Sequence, residues 1–178
     1  MFENLLADTR RLRDIKTKRA PWYVVESVLF ENGYQAVILH RLAHWFRRRR
    51  IPVMPALLHK FAIAWTGADI APAAEIGPGL LIGHGVGLVI GNRVQIGAQA
   101  HFVHGVTIGG SSPRQRAAMP TLGERVFVGA HAAILGPIHV GDGCFIGANA
   151  VVTADVPAGS KVVALPSSVS PPRPAAEP

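Results

Sequence analysis

A beat of six residues runs from Ile70 to Val156 and leaves the chain few folds to choose from. Ile70, Ile76 and Ile82 carry it first, and Ile90, Ile96, Phe102 and Ile108 resume it after a slip of two residues. Leu122, Val128, Ile134, Val140, Ile146 and Val152 finish it after a longer interruption. Four places after each beat stands a second apolar or small residue, as at Ala74, Leu80, Val86, Val94, Val106, Val126, Ile138, Cys144 and Val156. A short fixed period of this kind marks a solenoid, whose units bury their apolar edges only by stacking on one another. Six residues suit a short strand and a turn, and three such steps, about eighteen residues, close one triangular coil. The glycine that often follows the beat (Gly77, Gly97, Gly129, Gly147) suits a corner where a side chain would clash.

The first 68 residues lack this beat and read as helical. Val24, Val25, Val28 and Leu29 form one apolar stripe, and Val37, Ile38, Leu42, Trp45 and Phe46 another. Gly33 falls between them as a joint between two helices. Pro55 suits the first turn of a following helix and Gly67 its end. The division expected is a helical region over residues 1–68 and a repeat domain over 69–165 with a projecting loop at 110–120. A Pro-, Ser- and Ala-rich tail over 166–178 reads as disordered.

The formal charge is +7, with basic clusters at Arg10–Arg19 and Arg47–Arg50. No aromatic residues interleave with these arginines and no nucleic-acid motif appears, so no nucleic-acid partner is expected. The single cysteine, Cys144, lies on an apolar position of the repeat, which excludes a disulfide framework. No signal peptide is visible, and the apolar run near Val53–Trp65 is too short for a spanning helix of about 20 residues. The expected location is the cytoplasm, with no transmembrane segment.

Three segments carry polar residues that the repeat does not explain. They are Asp69-Ile70-Ala71-Pro72-Ala73-Ala74-Glu75-Ile76-Gly77, His84-Gly85-Val86-Gly87-Leu88-Val89-Ile90-Gly91 and His104-Gly105-Val106-Thr107-Ile108-Gly109-Gly110. With the helical start before them they resemble the serine O-acetyltransferases, a branch of the hexapeptide-repeat acyltransferases. The resemblance covers nearly the whole chain. It implies a left-handed parallel β-helix, mainly β with a short α-helical N-terminal region. It also implies a homotrimer with sites in the clefts between neighbouring β-helices, acetyl-CoA as co-substrate and no metal. His84 matches the family's catalytic histidine and Asp69 its aspartate partner.

The residue chemistry agrees with that assignment. Moving an acetyl group from a thioester to an alcohol requires the hydroxyl proton to leave as oxygen attacks, and histidine does this near neutral pH. A carboxylate on the second ring nitrogen fixes the tautomer and stabilises the imidazolium. The backbone at Gly109 and Gly110 is a candidate donor set for the oxyanion. By resemblance, Gly109, Gly110, Ala130 and Ala148 line the acetyl-CoA cleft, and Ala164 lies in the segment that closes over the pantetheine. Lys161 is a candidate for the cofactor phosphates. His104 is expected to line the site, with Met119 and Arg116 on the acceptor side.

The departures bear on the acceptor. Ala118 and Met119 stand where the family carries an arginine and a histidine, Gly83 where it carries an aspartate, and Lys18 where it carries another. A serine carboxylate without its arginine would lose several kcal/mol of charge pairing, on the order given for buried charge pairs. Either Arg114 or Arg116 takes over, or the acceptor is not serine. A sugar or polysaccharide-precursor hydroxyl is therefore slightly favoured, with L-serine as the alternative. The end at Pro178, in place of the isoleucine that docks into cysteine synthase, argues against a cysteine synthase complex. A silent trimeric scaffold and a zinc carbonic anhydrase-like site of three histidines are weaker readings.

Overall fold

The computed structural model describes residues 2–15, 22–111 and 119–165. Four helices come first: α1 (Phe2–Ile15), α2 (Trp22–Phe30), α3 (Asn32–Arg48) and α4 (Met54–Thr66). Fourteen short strands follow, all paired in parallel in three sheets. Sheet A stacks β1 (Asp69–Ile70), β4 (Val89–Ile90), β7 (Thr107–Gly109), β10 (Ala133–Leu135) and β13 (Val151–Val152). Sheet B stacks β2 (Glu75–Ile76), β5 (Gln95–Ile96), β8 (Thr121–Leu122) and β11 (His139–Val140). Sheet C stacks β3 (Leu81–Gly83), β6 (His101–Val103), β9 (Phe127–Val128), β12 (Phe145–Ile146) and β14 (Lys161–Val162). The chain visits A, B and C in turn, as a parallel β-helix must.

The register explains the beat. Ile70 pairs with Ile90, Ile90 with Ile108, Ile108 with Ile134 and Ile134 with Val152, so each beat residue stands on its counterpart one coil away. All thirteen beat positions are buried, with Phe102 the largest side chain fully enclosed. The residue four places on fills the remaining interior, with one exception. Val86, expected inside, is 58% exposed, and Leu88 takes the slot with no exposure. The slip of two residues makes the difference: the corner from Gly83 to Val89 is longer by two, which throws Val86 outward and moves His84 with it.

Most glycines after the beat answer to the next coil. A Cβ on Gly97 would lie 2.6 Å from the Gly123 carbonyl, and one on Gly129 2.6 Å from the Ala148 nitrogen. Gly33 is not a joint between helices. The break falls at Glu31, and Gly33 sits in the first turn of α3, where a Cβ would collide with the Ile82 carbonyl. The helix needs that gap to lie against the first coil. Gly67 does end α4, in the left-handed region at φ 72, with its N–H donating to the Ile63 carbonyl.

The helices close the first coil. Ala36 and Val37 of α3 join the solenoid's own core. Arg41, 5% exposed, donates to Asp8 through Nε at 3.0 Å and to the carbonyls of Ile76 and Gly77. Asp8 in turn accepts from the Leu80 backbone N–H at 2.7 Å. One buried ion pair thus ties α1, α3 and the first coil together, and its charges are satisfied by backbone as well as by each other. Cys144 is buried and donates to the Pro157 carbonyl. Among the described residues no helix is long and apolar enough to cross a membrane.

Candidate active site

The polar residues singled out in the sequence fall on two corners of the triangular coil. The first corner joins sheet C to sheet A. Leu81 pairs with His101, His101 with Phe127, Phe127 with Phe145 and Phe145 with Lys161. Three residues further on, the same register places His84, His104, Ala130, Ala148 and Ala164 in one column, at steps of about 4.8 Å. Backbone bonds at the corner agree with it: the His131 N–H donates to His104 and the Asn149 N–H to Ala130.

His84 lies at the foot of this column in the left-handed region, at φ 54, a conformation that strains a residue with a Cβ. Its side chain is exposed and faces a cleft of about 380 Å³ walled by Phe30, Glu31 and Asn32 at the α2–α3 break and floored by Leu81 and Gly83. His104 stands above it with ring centroids 6.5 Å apart, and His131 contacts His104 edge to face at 5.0 Å. The Nδ1 of His104 is buried with no hydrogen-bond partner among the described residues, an uncompensated polar atom at this corner. His101, on the cleft floor, is half-buried, and burial, followed by the charge of Arg11, holds its pKa below the usual value for histidine.

The second corner joins sheet A to sheet B and carries Gly109, Gly110 and the departing loop. A Cβ on Gly109 would meet nothing within 4 Å, unlike those on Gly97 and Gly129. Among the described residues packing therefore leaves the Cα face of this glycine free, while its backbone is paired with β10. Met119, expected to line the acceptor pocket, packs against the solenoid core where the loop returns to Thr121. Arg114, Arg116 and Ala118 lie outside the described residues, as does Lys18.

Asp69 is at the head of sheet A, and its Oδ1 is bonded at 2.7 Å to Nε2 of His59 on α4. Among the described residues no hydrogen bond joins Asp69 to His84. His59 was visible in the sequence only as a polar interruption of an apolar helix, and that is the signal that marks it. Lys161 is on the outer face of sheet C, its ammonium 5.3 Å from the Phe145 ring, which stacks on Phe127. Gly83 has room for a side chain: the nearest atom to an added Cβ, Nε2 of His101, is 3.7 Å away. Among the described residues no three His, Cys, Asp or Glu are grouped to hold a metal ion.

The two corners suit an extended thioester and an alcohol. The alanine column offers a smooth edge, His84 is exposed at its foot, and among the described residues nothing crowds the Cα of Gly109.

Residues 119–154 match the family model described as bacterial transferase hexapeptide (six repeats). The chain is similar to a serine acetyltransferase of Helicobacter pylori, 44% identical over 86% of this chain and 88% of that protein. It is also similar to one of Synechococcus elongatus, 40% identical over 95% of this chain and 68% of the relative. Among solved structures, a Brucella abortus serine acetyltransferase in complex with coenzyme A superposes with a TM-score of 0.80 at 33% identity, covering 92% of this chain. The chain spans 64% of that Brucella protein's length.

Proposed function

The chain belongs to the serine acetyltransferase family of hexapeptide-repeat proteins, and on that premise we propose that it transfers an acetyl group from acetyl-CoA to the hydroxyl of L-serine. The observation that carries the reading is the column of His84, His104, Ala130, Ala148 and Ala164 on one corner, with an exposed histidine at its foot. The altered loop favours a sugar hydroxyl. Identity of 40% and 44% with proteins named for serine outweighs that expectation.

In this mechanism His84 removes the hydroxyl proton as the serine oxygen attacks the thioester carbonyl. The backbone N–H of Gly110, just past the end of β7, receives the developing oxyanion, whereas that of Gly109, expected from the sequence to share the task, is taken up by the parallel pairing with β10. As the carbon–sulfur bond breaks, the imidazolium of His84 returns the proton to sulfur, and the products are the acetyl ester and free CoA thiol. His84 and Gly109 lie at opposite edges of sheet A in one chain. A site that uses both therefore takes one corner from each of two chains, which agrees with the homotrimer that the family resemblance implies. Asp69 keeps Oδ2 without a partner among the described residues, and we assign that oxygen to His84 in the assembled enzyme.

The deciding assay measures CoA thiol release by the purified protein across L-serine, L-homoserine and sugar acceptors. Saturable turnover on L-serine supports the reading. Turnover on sugars and none on L-serine would overturn the acceptor and leave the transfer chemistry standing.

A further inference from the structure

A second cleft lies apart from the one beside His84. It measures about 840 Å³ and is lined by Arg47, Arg48, Arg50 and Arg93, with His44 and Glu75. It lies where the C-terminal end of α3 meets the first two coils. The chain turns tightly there, with the Arg50 N–H donating to the Arg47 carbonyl at 2.9 Å and the Ile51 N–H to the Phe46 carbonyl at 3.1 Å. That turn folds Arg50 back beside Arg47. Arg49 is drawn away, its guanidinium 5.2 Å from the Trp45 ring. The next coil brings in Arg93.

Among the described residues none of the four lining arginines is in an ion pair or hydrogen bond through its side chain. Glu75 is the one carboxylate in the lining, so the concavity carries an excess of three positive charges. Like charges held around one hollow repel each other and raise a strong local potential. Each guanidinium also offers a planar fork that matches phosphate oxygens two at a time. His44 is not spare, since its Nδ1 bonds the Pro72 carbonyl at 3.0 Å.

We propose that this cleft is an anion site for a compound bearing two or more phosphate groups, held by Arg47, Arg48, Arg50 and Arg93. One phosphate would satisfy two forks, and four arginines call for a second phosphate. Two sources share this chemistry, a free polyphosphorylated metabolite and an anionic lipid headgroup. The hollow shape favours the free compound.

The test is calorimetric titration of the full chain with inorganic pyrophosphate at low ionic strength, with saturating acetyl-CoA present to occupy the proposed cofactor cleft. The expected result is saturable binding that weakens at least tenfold in Arg93→Gln and in Arg47→Gln. Arg125→Gln, at an exposed residue paired with Glu124, leaves it unchanged. Circular dichroism checks that each variant is folded, and Arg93→Lys, which keeps charge but not the fork, falls between. Absence of pyrophosphate binding overturns the proposal, as does equal binding by the arginine variants or abolition of binding by acetyl-CoA. A second arm sediments the protein with phosphatidylglycerol vesicles. Co-sedimentation lost in Arg93→Gln assigns the site to a headgroup, and protein left in the supernatant assigns it to the free compound. Co-sedimentation that survives the substitution, without pyrophosphate binding, also overturns the proposal.

Discussion

His59 and Asp69 are joined side chain to side chain, Nε2 to Oδ1 at 2.7 Å, across the junction of the last helix and the first strand. The bond fixes one carboxylate oxygen and leaves the other to turn toward a second partner. If Asp69 supports His84, His59 acts on catalysis without touching substrate. His59→Ala is expected to lower kcat about tenfold, less than the roughly 10²–10⁴ range for loss of a general base itself, with KM for acetyl-CoA unchanged. His59→Gln, which keeps a donor, restores most of it. Steady-state kinetics on the two variants check this, and unchanged kcat in His59→Ala would remove the positioning role.

His84 sits at φ 54, so a substitution there tests backbone as well as chemistry. Asparagine tolerates the left-handed region better than alanine. His84→Asn is therefore expected to keep its melting temperature while kcat falls by about 10²–10⁴, the range for loss of a general base. Thermal unfolding and CoA release on one preparation check both halves.

Gly129 and Gly109 follow the beat alike and differ in what surrounds them. Gly129→Ala would press its methyl against the Ala148 backbone and is expected to destabilise the fold by about 1–3 kcal/mol. Gly109→Ala meets nothing within 4 Å among the described residues and is expected to change stability by no more than about 0.5 kcal/mol. Its effect is expected in the KM for acetyl-CoA. Denaturant unfolding and saturation kinetics of both variants separate the structural glycine from the functional one.

Burial first, and then the charges of Arg41, His44 and His59, push the pKa of His40 down to about 3. In the unfolded chain the group titrates at about 6.5. Between those values the unfolded chain binds a proton that the folded chain refuses, so folding weakens as the pH falls. The contribution is complete above about pH 6.5 and is lost toward pH 3, at up to about 1.4 kcal/mol per pH unit. Urea unfolding at pH 4.5, 5.5 and 7 should show this slope, and His40→Gln should flatten it. A slope equal in both proteins would locate the acid sensitivity elsewhere.

The interior of the solenoid was legible in the sequence because a period of six is a direct image of side chains alternating inward. The place where that reading failed, Val86 in place of Leu88, is where two extra residues enter the corner that carries His84. Periodicity reports a regular core and says little of a bulge. Gly33 was read as a joint because its tight approach to the Ile82 carbonyl comes from a residue nearly fifty positions away. The histidine column was legible only in part: the beat places His104 and Ala130 on equivalent corners, whereas the unpartnered Nδ1 depends on packing. The run Arg47–Arg50 and the polar His59 were visible in the chain, but their partners Arg93 and Asp69 were not, since each contact joins helix to coil.

The separation of His84 and Gly109 by the width of sheet A has a consequence for genetics. In the proposed trimer each site borrows one corner from each neighbour, so the two kinds of lesion are complementary. A chain damaged at His84 and a chain damaged at Gly109 are each inactive alone. Co-assembled, they form one intact site in every mixed ring, whichever chain is in the minority. Activity regained on mixing two dead proteins would thus count the subunits that build a site.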